Sequence, residues 1–345
     1  MMTVSTQTKA LLWGLAGVGA WVALKSGLAR QRKIDFQGKT VVITGGSRGL
    51  GLEMARILAQ EGANLALCAR NPAELDDARN ELLAYGGRVY TQTCDLTDKR
   101  QIEDFIEDVR QALGPVDVLI NNAGTILVTP FEHSTEADLR ESMDTNFWSA
   151  FHTINAVLPH MRPRKAGRIV NVTSFGGKVS IPHLLTYSAS KFAFVGYSEG
   201  IRPELQKEGI YVTTICPGLI RTGSPRNAYF KGQNEKEYAA FKIAGSLPFF
   251  TIDSAECARE IIEACRYGEA ERIIGLPAKI GASVQGLAPN LLAEVMGVVA
   301  RLLPNPGGIA EEAIKGKYSE TPLSESFLTT LTDQAALRNN ERAEE

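Results

Sequence analysis

Along most of the chain, short continuous apolar runs alternate with stretches in which apolar positions return every three or four residues. The runs fall at 40–44, 64–69, 116–120, 167–173 and 210–216, with more polar strand-like stretches at 88–93 and 271–274. Unbroken runs of this kind suit strands buried on both faces. The stretches between them, at 52–60, 72–84, 99–112, 136–160, from Tyr187 onward and 254–266, have the spacing of helices. Repetition of strand, helix and strand predicts an α/β fold, with a doubly wound parallel sheet and helices on both faces. Ligands bind outside the carboxyl ends of the strands in such sheets, so the residues that follow each run are the ones to read for chemistry.

Three segments fall outside this alternation. Residues 10–24 are uncharged and apolar all round, bracketed by Lys9 and Lys25, and lack the polar face of a surface helix. If Lys25 snorkels, the segment extends to Ala29 and is long enough to cross a bilayer. Lys25, Arg30, Arg32 and Lys33 behind it, against Lys9 in front, orient the body to the cytoplasmic side. Residues 1–33 are therefore expected to carry a membrane anchor, with association through 10–29. A cleaved signal peptide fits less well, since the n-region is weak and no clear cleavage site follows. The other alternative is a helix packed on the body of a cytoplasmic protein.

Residues 34–275 form the expected α/β body, and 276–304 an amphipathic extension. Within it, Leu291, Leu292, Val295, Val298, Val299, Leu302 and Leu303 lie on one helical stripe between Pro289 and Pro304. That stripe is expected to be buried against something. Residues 305–345 are a polar tail, of which 334–345 are expected to fray.

Charge narrows the partners. The chain has 37 Lys and Arg against 39 Asp and Glu, a net charge of -2, so nothing points to nucleic acid. Cys68, Cys94, Cys216, Cys257 and Cys265 have no metal or CxxC spacing, and read as reduced, buried thiols. The histidines form no ligand pattern either, and no metal is expected.

The chemistry sits at the ends of the runs. The first is followed by Gly45-Gly-Ser47-Arg48-Gly49-Leu50-Gly51 and then a helix. Glycines there let the backbone approach a pyrophosphate, while the helix end offers free N–H groups and a positive dipole. The spacing is GxxxGxG, not the GxGxxG of the common dinucleotide fingerprint. The second run ends in Ala69-Arg70, where an NAD site would place a carboxylate for the ribose 2′-hydroxyl. Arg70 with Arg48 suits the 2′-phosphate of NADPH/NADP+ instead. Later runs deliver Asp95-Leu96, Asn121-Asn122-Ala123-Gly124, Ser174, and Pro217-Gly218 with Ile220 and Thr222; the 136–160 helix carries Asn146. Tyr187 and Lys191 are four apart and share one helical face. A close ammonium favours a phenolate, and the Ser174 hydroxyl can hold a carbonyl oxygen while the phenol protonates it.

In this order and spacing the residues resemble the short-chain dehydrogenase/reductase family, over residues 38–275. The resemblance rests on Thr44-Gly-x-x-x-Gly-x-Gly51, Asp95, Asn121-Asn-Ala-Gly124, Asn146, Ser174, Tyr187-x-x-x-Lys191 and Pro217-Gly-x-x-x-Thr222. It implies a Rossmann-type, seven-stranded sheet in order 3-2-1-4-5-6-7. It also implies that Asp95 meets the adenine, that Asn122 and its glycine shape the cofactor side, and that 217–222 meet the nicotinamide. Asn146 would hold a water linked to Lys191, completing a catalytic set with Ser174 and Tyr187. The expected activity is NADPH-dependent reduction of a small-molecule carbonyl to its alcohol, or the reverse, by a homo-oligomer. A lipidic ketone and a small soluble carbonyl both remain open as substrates.

Residues 221–250 would cover the substrate. Tyr229, Phe230, Tyr238, Phe241, Phe249 and Phe250 there suit an apolar pocket or an ordinary amphipathic helix pair. Lys231, Lys236 and Lys242 among them leave room for an acidic group on the substrate.

Overall fold

The computed structural model describes residues 27–341. The 10–24 segment lies outside the described residues. Seven strands form one sheet: β1 (Thr40–Thr44), β2 (Asn64–Ala69), β3 (Val89–Thr93), β4 (Val118–Asn121), β5 (Gly167–Val172), β6 (Ile210–Pro217) and β7 (Glu271–Ile274). Their order is β7-β6-β5-β4-β1-β2-β3, with every neighbouring pair parallel.

Period-two alternation along the strands splits the core into two layers. Val41 and Ile43 of β1, with Leu65, Leu67, Val118 and Ile120 beside them, meet α1 (Gly49–Gln60) and α8 (Ser254–Arg266). Val42, Ala66 and Leu119 point the other way, onto α3 (Lys99–Leu113), α5 (Ser149–Met161) and α6 (Leu185–Gln206). Each fully buried aliphatic side chain contributes about 1.5–3 kcal/mol relative to exposure, so both faces hold the sheet. Helix α2 (Pro72–Leu83) starts at Asn71, whose side chain accepts from the Ala73 N–H, and α3 starts at Asp98 in the same way. No side chain caps α1.

The expected helix over 136–160 is interrupted. It runs as α4 (Glu136–Met143), a π-helical turn at Asp144–Trp148, and α5. A π turn adds a residue to the helical repeat and re-aims one side chain, and such turns recur at functional sites. Here the buried residue of the turn is Asn146.

The cover over the carboxyl ends is built from three short pieces. Leu127–Val128, Tyr229–Phe230 and Ile314–Lys315 make a small sheet, and α7 (Asn234–Ala244) follows. Phe230 and Tyr238 are fully buried in a satellite core, whereas Phe249 and Phe250 face solvent. The lysines of this region are engaged within the fold: Lys231 Nζ lies 2.7 Å from Asp138, Lys242 Nζ lies 3.0 Å from Asp333, and Lys236 bonds Gln233. These three lysines therefore give no support to the acidic substrate group that the sequence left open.

Beyond β7 the structure departs from the sequence expectations twice. Helices α9 (Leu276–Leu287) and α10 (Pro289–Leu302) form a pair in which α10 packs mainly on α9. Of the stripe expected to be buried, only Leu292 is; Leu291, Val295, Val298 and Leu302 are exposed among the described residues. The tail is the second departure. Rather than fraying, residues 334–338 lie in α11 (Thr330–Arg338), and 339–341 continue onto the body. Buried Ala335 and Ala336 anchor it together with polar contacts: Arg338 lies 3.2 Å from Glu53 and 3.1 Å from Asp253.

Candidate active site

The carboxyl ends of the strands open into a cleft of about 620 Å³. At one end is the β1–α1 turn. Gly49 has φ +58°, in the left-handed region that a side chain disfavours. A Cβ at Gly51 would stand 2.1 Å from the Gly45 carbonyl oxygen and 2.8 Å from Asn122 Nδ2. The bare backbone is what lets the turn close on β4. Asn122 completes the join by donating to the carbonyls of Thr44 (3.2 Å) and Gly45 (3.1 Å), while the Thr44 hydroxyl accepts from the Asn122 and Ala123 N–H groups.

Ser47, Arg48, Leu50, Arg70, Asp95 and Leu96 line the same end. Glu74, from α2, was not foreseen there. Its carboxylate accepts from the Ser47 hydroxyl at 3.1 Å and from Arg48 Nη1 at 2.7 Å. Asp95 turns its carboxylate to the Thr97 N–H and hydroxyl, at 3.0 and 2.8 Å.

At the middle of the cleft stand Ser174, Tyr187 and Lys191. Ser174 stands two residues beyond β5, and its Oγ accepts from the Gly176 N–H at 3.0 Å, leaving the hydroxyl proton free to donate elsewhere. A Cβ at Gly176 would lie 3.1 Å from Tyr187 Cε1 and 3.3 Å from Ser174 Oγ. Tyr187 and Lys191 sit one turn apart at the start of α6, with Lys191 Nζ 5.7 Å from the Tyr187 ring centroid and 3.3 Å from the Val172 carbonyl. Burial pushes the Tyr187 phenol up, and a hydrogen bond with Ser174 pulls it back in part. Burial also draws the Lys191 ammonium down, to about 8. Without cofactor, desolvation outweighs the charge attraction expected from the Tyr–Lys spacing.

Asn146 and Gly51 do not line the cleft; they stand behind it. The Asn146 carboxamide accepts from the Thr125 N–H at 2.9 Å, and donates to the Thr125 carbonyl and Ser190 Oγ, both at 3.1 Å. A Cβ at Gly124 would lie 2.7 Å from Asn146 Oδ1 and 3.5 Å from Lys191 Nζ. Asn146 thus fixes the wall that faces Lys191. Pro217, Gly218, Ile220 and Thr222 complete the floor after β6, with Thr222 and Ser224 sharing a hydroxyl pair at 2.7 Å. Ile126, Phe175, Ile181, Leu184, Tyr229 and Phe241 make the far end mainly apolar, with Lys315 also lining the cleft beside Tyr229.

This arrangement can be set beside known proteins. A family model of the short chain dehydrogenases matches residues 39–231. The chain belongs to the short-chain dehydrogenase/reductase family. Dehydrogenase/reductase SDR family member 7B of Danio rerio is 32% identical over 294 residues, covering 82% of this chain and 93% of that protein. The ketoacyl reductase HetN of Nostoc sp. is 35% identical over 183 residues, covering 53% of this chain but 64% of that protein, less than two thirds of its length. Among solved structures, a variant of the actinorhodin polyketide ketoreductase with NADPH gives a TM-score of 0.62 at 28% identity, covering 69% of this chain and 95% of that one. The family's Rossmann-type sheet accounts for the strand order found here.

One occupant of the cleft had no signal in the sequence. Glu341 lines it, against the β1–α1 turn and the 222–224 loop. Burial raises its carboxyl to about 7, while the Gly223 N–H and Arg48 pull it down. A polar tail predicts solvent, and only the three-dimensional path of 305–341 brings this residue back to the site.

Proposed function

We propose that the protein is an NADPH-dependent carbonyl reductase acting on an apolar, keto-lipid-like substrate. The observation that carries the reading is the meeting of Ser174, Tyr187 and Lys191 in one cleft with a glycine turn at its other end. The residues fit a dinucleotide: α1 presents uncapped N–H groups, Gly51 and Gly124 keep the walls bare, and Arg48 and Arg70 flank the end where a 2′-phosphate would lie. When bound, NADPH supplies the hydride that reduces the carbonyl carbon. Tyr187 gives its phenolic proton to the carbonyl oxygen, which becomes the alcohol hydroxyl. Ser174 donates a hydrogen bond to that oxygen as charge develops on it. Lys191 orients the cofactor's ribose and, when charged, steadies the phenolate left behind. Asn146 positions the Gly124–Thr125 wall opposite Lys191.

The mainly apolar lining at the far end favours a lipidic ketone over a small polar one, and the name of the Nostoc relative, a ketoacyl reductase, agrees with that class. We also infer membrane association through residues 10–29, with the catalytic body on the cytoplasmic side, from the apolar run and its flanking charges. Among the described residues no helix is long and apolar enough to cross a membrane. The test of the activity is oxidation of NADPH by purified protein with long-chain and water-soluble ketones, run beside Tyr187→Phe. Turnover of the lipidic ketones, lost in the variant, is expected.

A further inference from the structure

The tail beyond α11 enters the phosphate end of the cleft. The Gly49 N–H donates to the Asn339 carbonyl at 2.9 Å. Asn340 Nδ2 donates to the Ser47 carbonyl at 3.1 Å and to the Glu74 carbonyl at 3.2 Å. The Glu341 carboxylate accepts from the Gly223 N–H. A Cβ at Gly49 would lie 3.2 Å from Glu341 Oε1, and one at Gly223 would lie 2.6 Å from Glu341 Cβ. The carboxylate therefore stands between the first turn of α1 and the loop after β6.

That is where an anion belongs. No side chain caps the amino end of α1, and a glycine turn leading from a parallel strand into a helix is the seat of a dinucleotide's pyrophosphate. Glu341 places its carboxyl group in that seat, and the Asn339 carbonyl takes a turn N–H. Peptide and pyrophosphate compete for the same backbone donors.

We propose that residues 339–341 are an internal competitor of the cofactor: the docked tail closes the pyrophosphate seat, and NADPH binds only when the tail leaves. The proposal rests on the dinucleotide reading of the cleft. The hold on the tail is divided between two parts. Arg338 and Asn339 tie the end of α11 to Glu53, Asp253, Ser254 and Arg56, and these contacts lie outside the seat. The Asn339 carbonyl, on the Gly49 N–H, and the Asn340 and Glu341 side chains reach into it. Release of 340–341 and a turn of the Asn339 carbonyl away from Gly49 clear the seat without unseating α11.

The test uses the full-length protein and two variants, Glu341→Ala and Asn340→Ala, neither of which removes an apolar core side chain. NADPH affinity is measured by titration, and amide hydrogen exchange in 330–341 is followed with and without NADPH. Binding to a partly competent population lowers the apparent affinity by the competent fraction, so a tail docked in roughly nine-tenths of molecules weakens it about tenfold. Both variants are expected to bind NADPH about tenfold more tightly than the parent, and NADPH is expected to speed exchange at 339–341 in the parent. Equal affinity in all three proteins, with exchange unmoved by NADPH, would overturn the competition while leaving the cofactor reading intact. Weaker binding in the variants would also overturn it, by making the tail a strap over the cofactor. Failure of every form to bind NADPH would overturn the cofactor reading, and the competition with it.

Discussion

Glu74 treats the two arginines of the cleft differently. It holds Arg48 in an ion pair at 2.7 Å, while Arg70 is exposed at the cleft edge. Arg70 is thus the guanidinium free to meet a 2′-phosphate without first breaking a bond to the protein. A hydrogen bond to a charged group is worth about 1.5–3 kcal/mol. Arg70→Asp is expected to move the ratio of kcat/KM for NADPH over NADH by roughly 10–100-fold toward NADH. An unmoved ratio would show that Arg48, released from Glu74, reads the phosphate. The ionisation of Lys191 makes a second prediction at this scale. Burial lowers its pKa to about 8, so the ammonium is present below that pH and lost above it. Tyr187 shifts upward and stays protonated through the same window. Reductive turnover should fall as pH rises through about 8, and a pH–rate profile that stays level well beyond that would show that the lysine charge is not needed.

At the scale of elements, the parts visible in the sequence are those set by local pattern. The buried run of β1, the glycine turn and the Tyr187–Lys191 spacing each carry their geometry within a few residues, and the structure has them in place. The π turn around Asn146 left no such mark: Asp144-Thr-Asn-Phe-Trp148 is a run of weak helix formers, which does not say that a helix widens there, and the hydrogen bonds of Asn146 to Thr125 and Ser190 are tertiary. The α9–α10 pair was half legible: its helical period was clear, but period alone does not say what the stripe meets. Its exposed leucines and valines make an apolar face next to the substrate end, where Gly281 of α9 packs on Phe175. Truncation before Ile34 is expected to release a folded, NADPH-binding protein from the membrane fraction. A truncated protein that still sediments with membranes and needs detergent would assign membrane contact to α9–α10. A full-length protein soluble without detergent would contradict the anchor at 10–29.

Over the whole molecule, the doubly wound sheet collects residues from far along the chain at one edge. Ser47, Asn122, Ser174 and Thr222 follow four different strands, and Tyr187 stands on the helix after β5, yet all line one cleft. The sequence pattern made that collection predictable, since carboxyl-end loops of a parallel sheet converge. The return of 305–341 to the same edge was not predictable, because it is held by polar pairs spread over distant elements and by two small buried residues, Ala335 and Ala336, that make no apolar pattern. The central claim is that this cleft reduces a carbonyl with Tyr187 as proton donor, and one measurement tests it most directly: turnover and NADPH affinity of Tyr187→Phe, with a ketone that the parent protein reduces. Acid–base groups contribute about 10²–10⁴-fold. The account predicts a loss of turnover of about that size with NADPH affinity close to the parent's, and a variant that keeps most of the parent's turnover would contradict it.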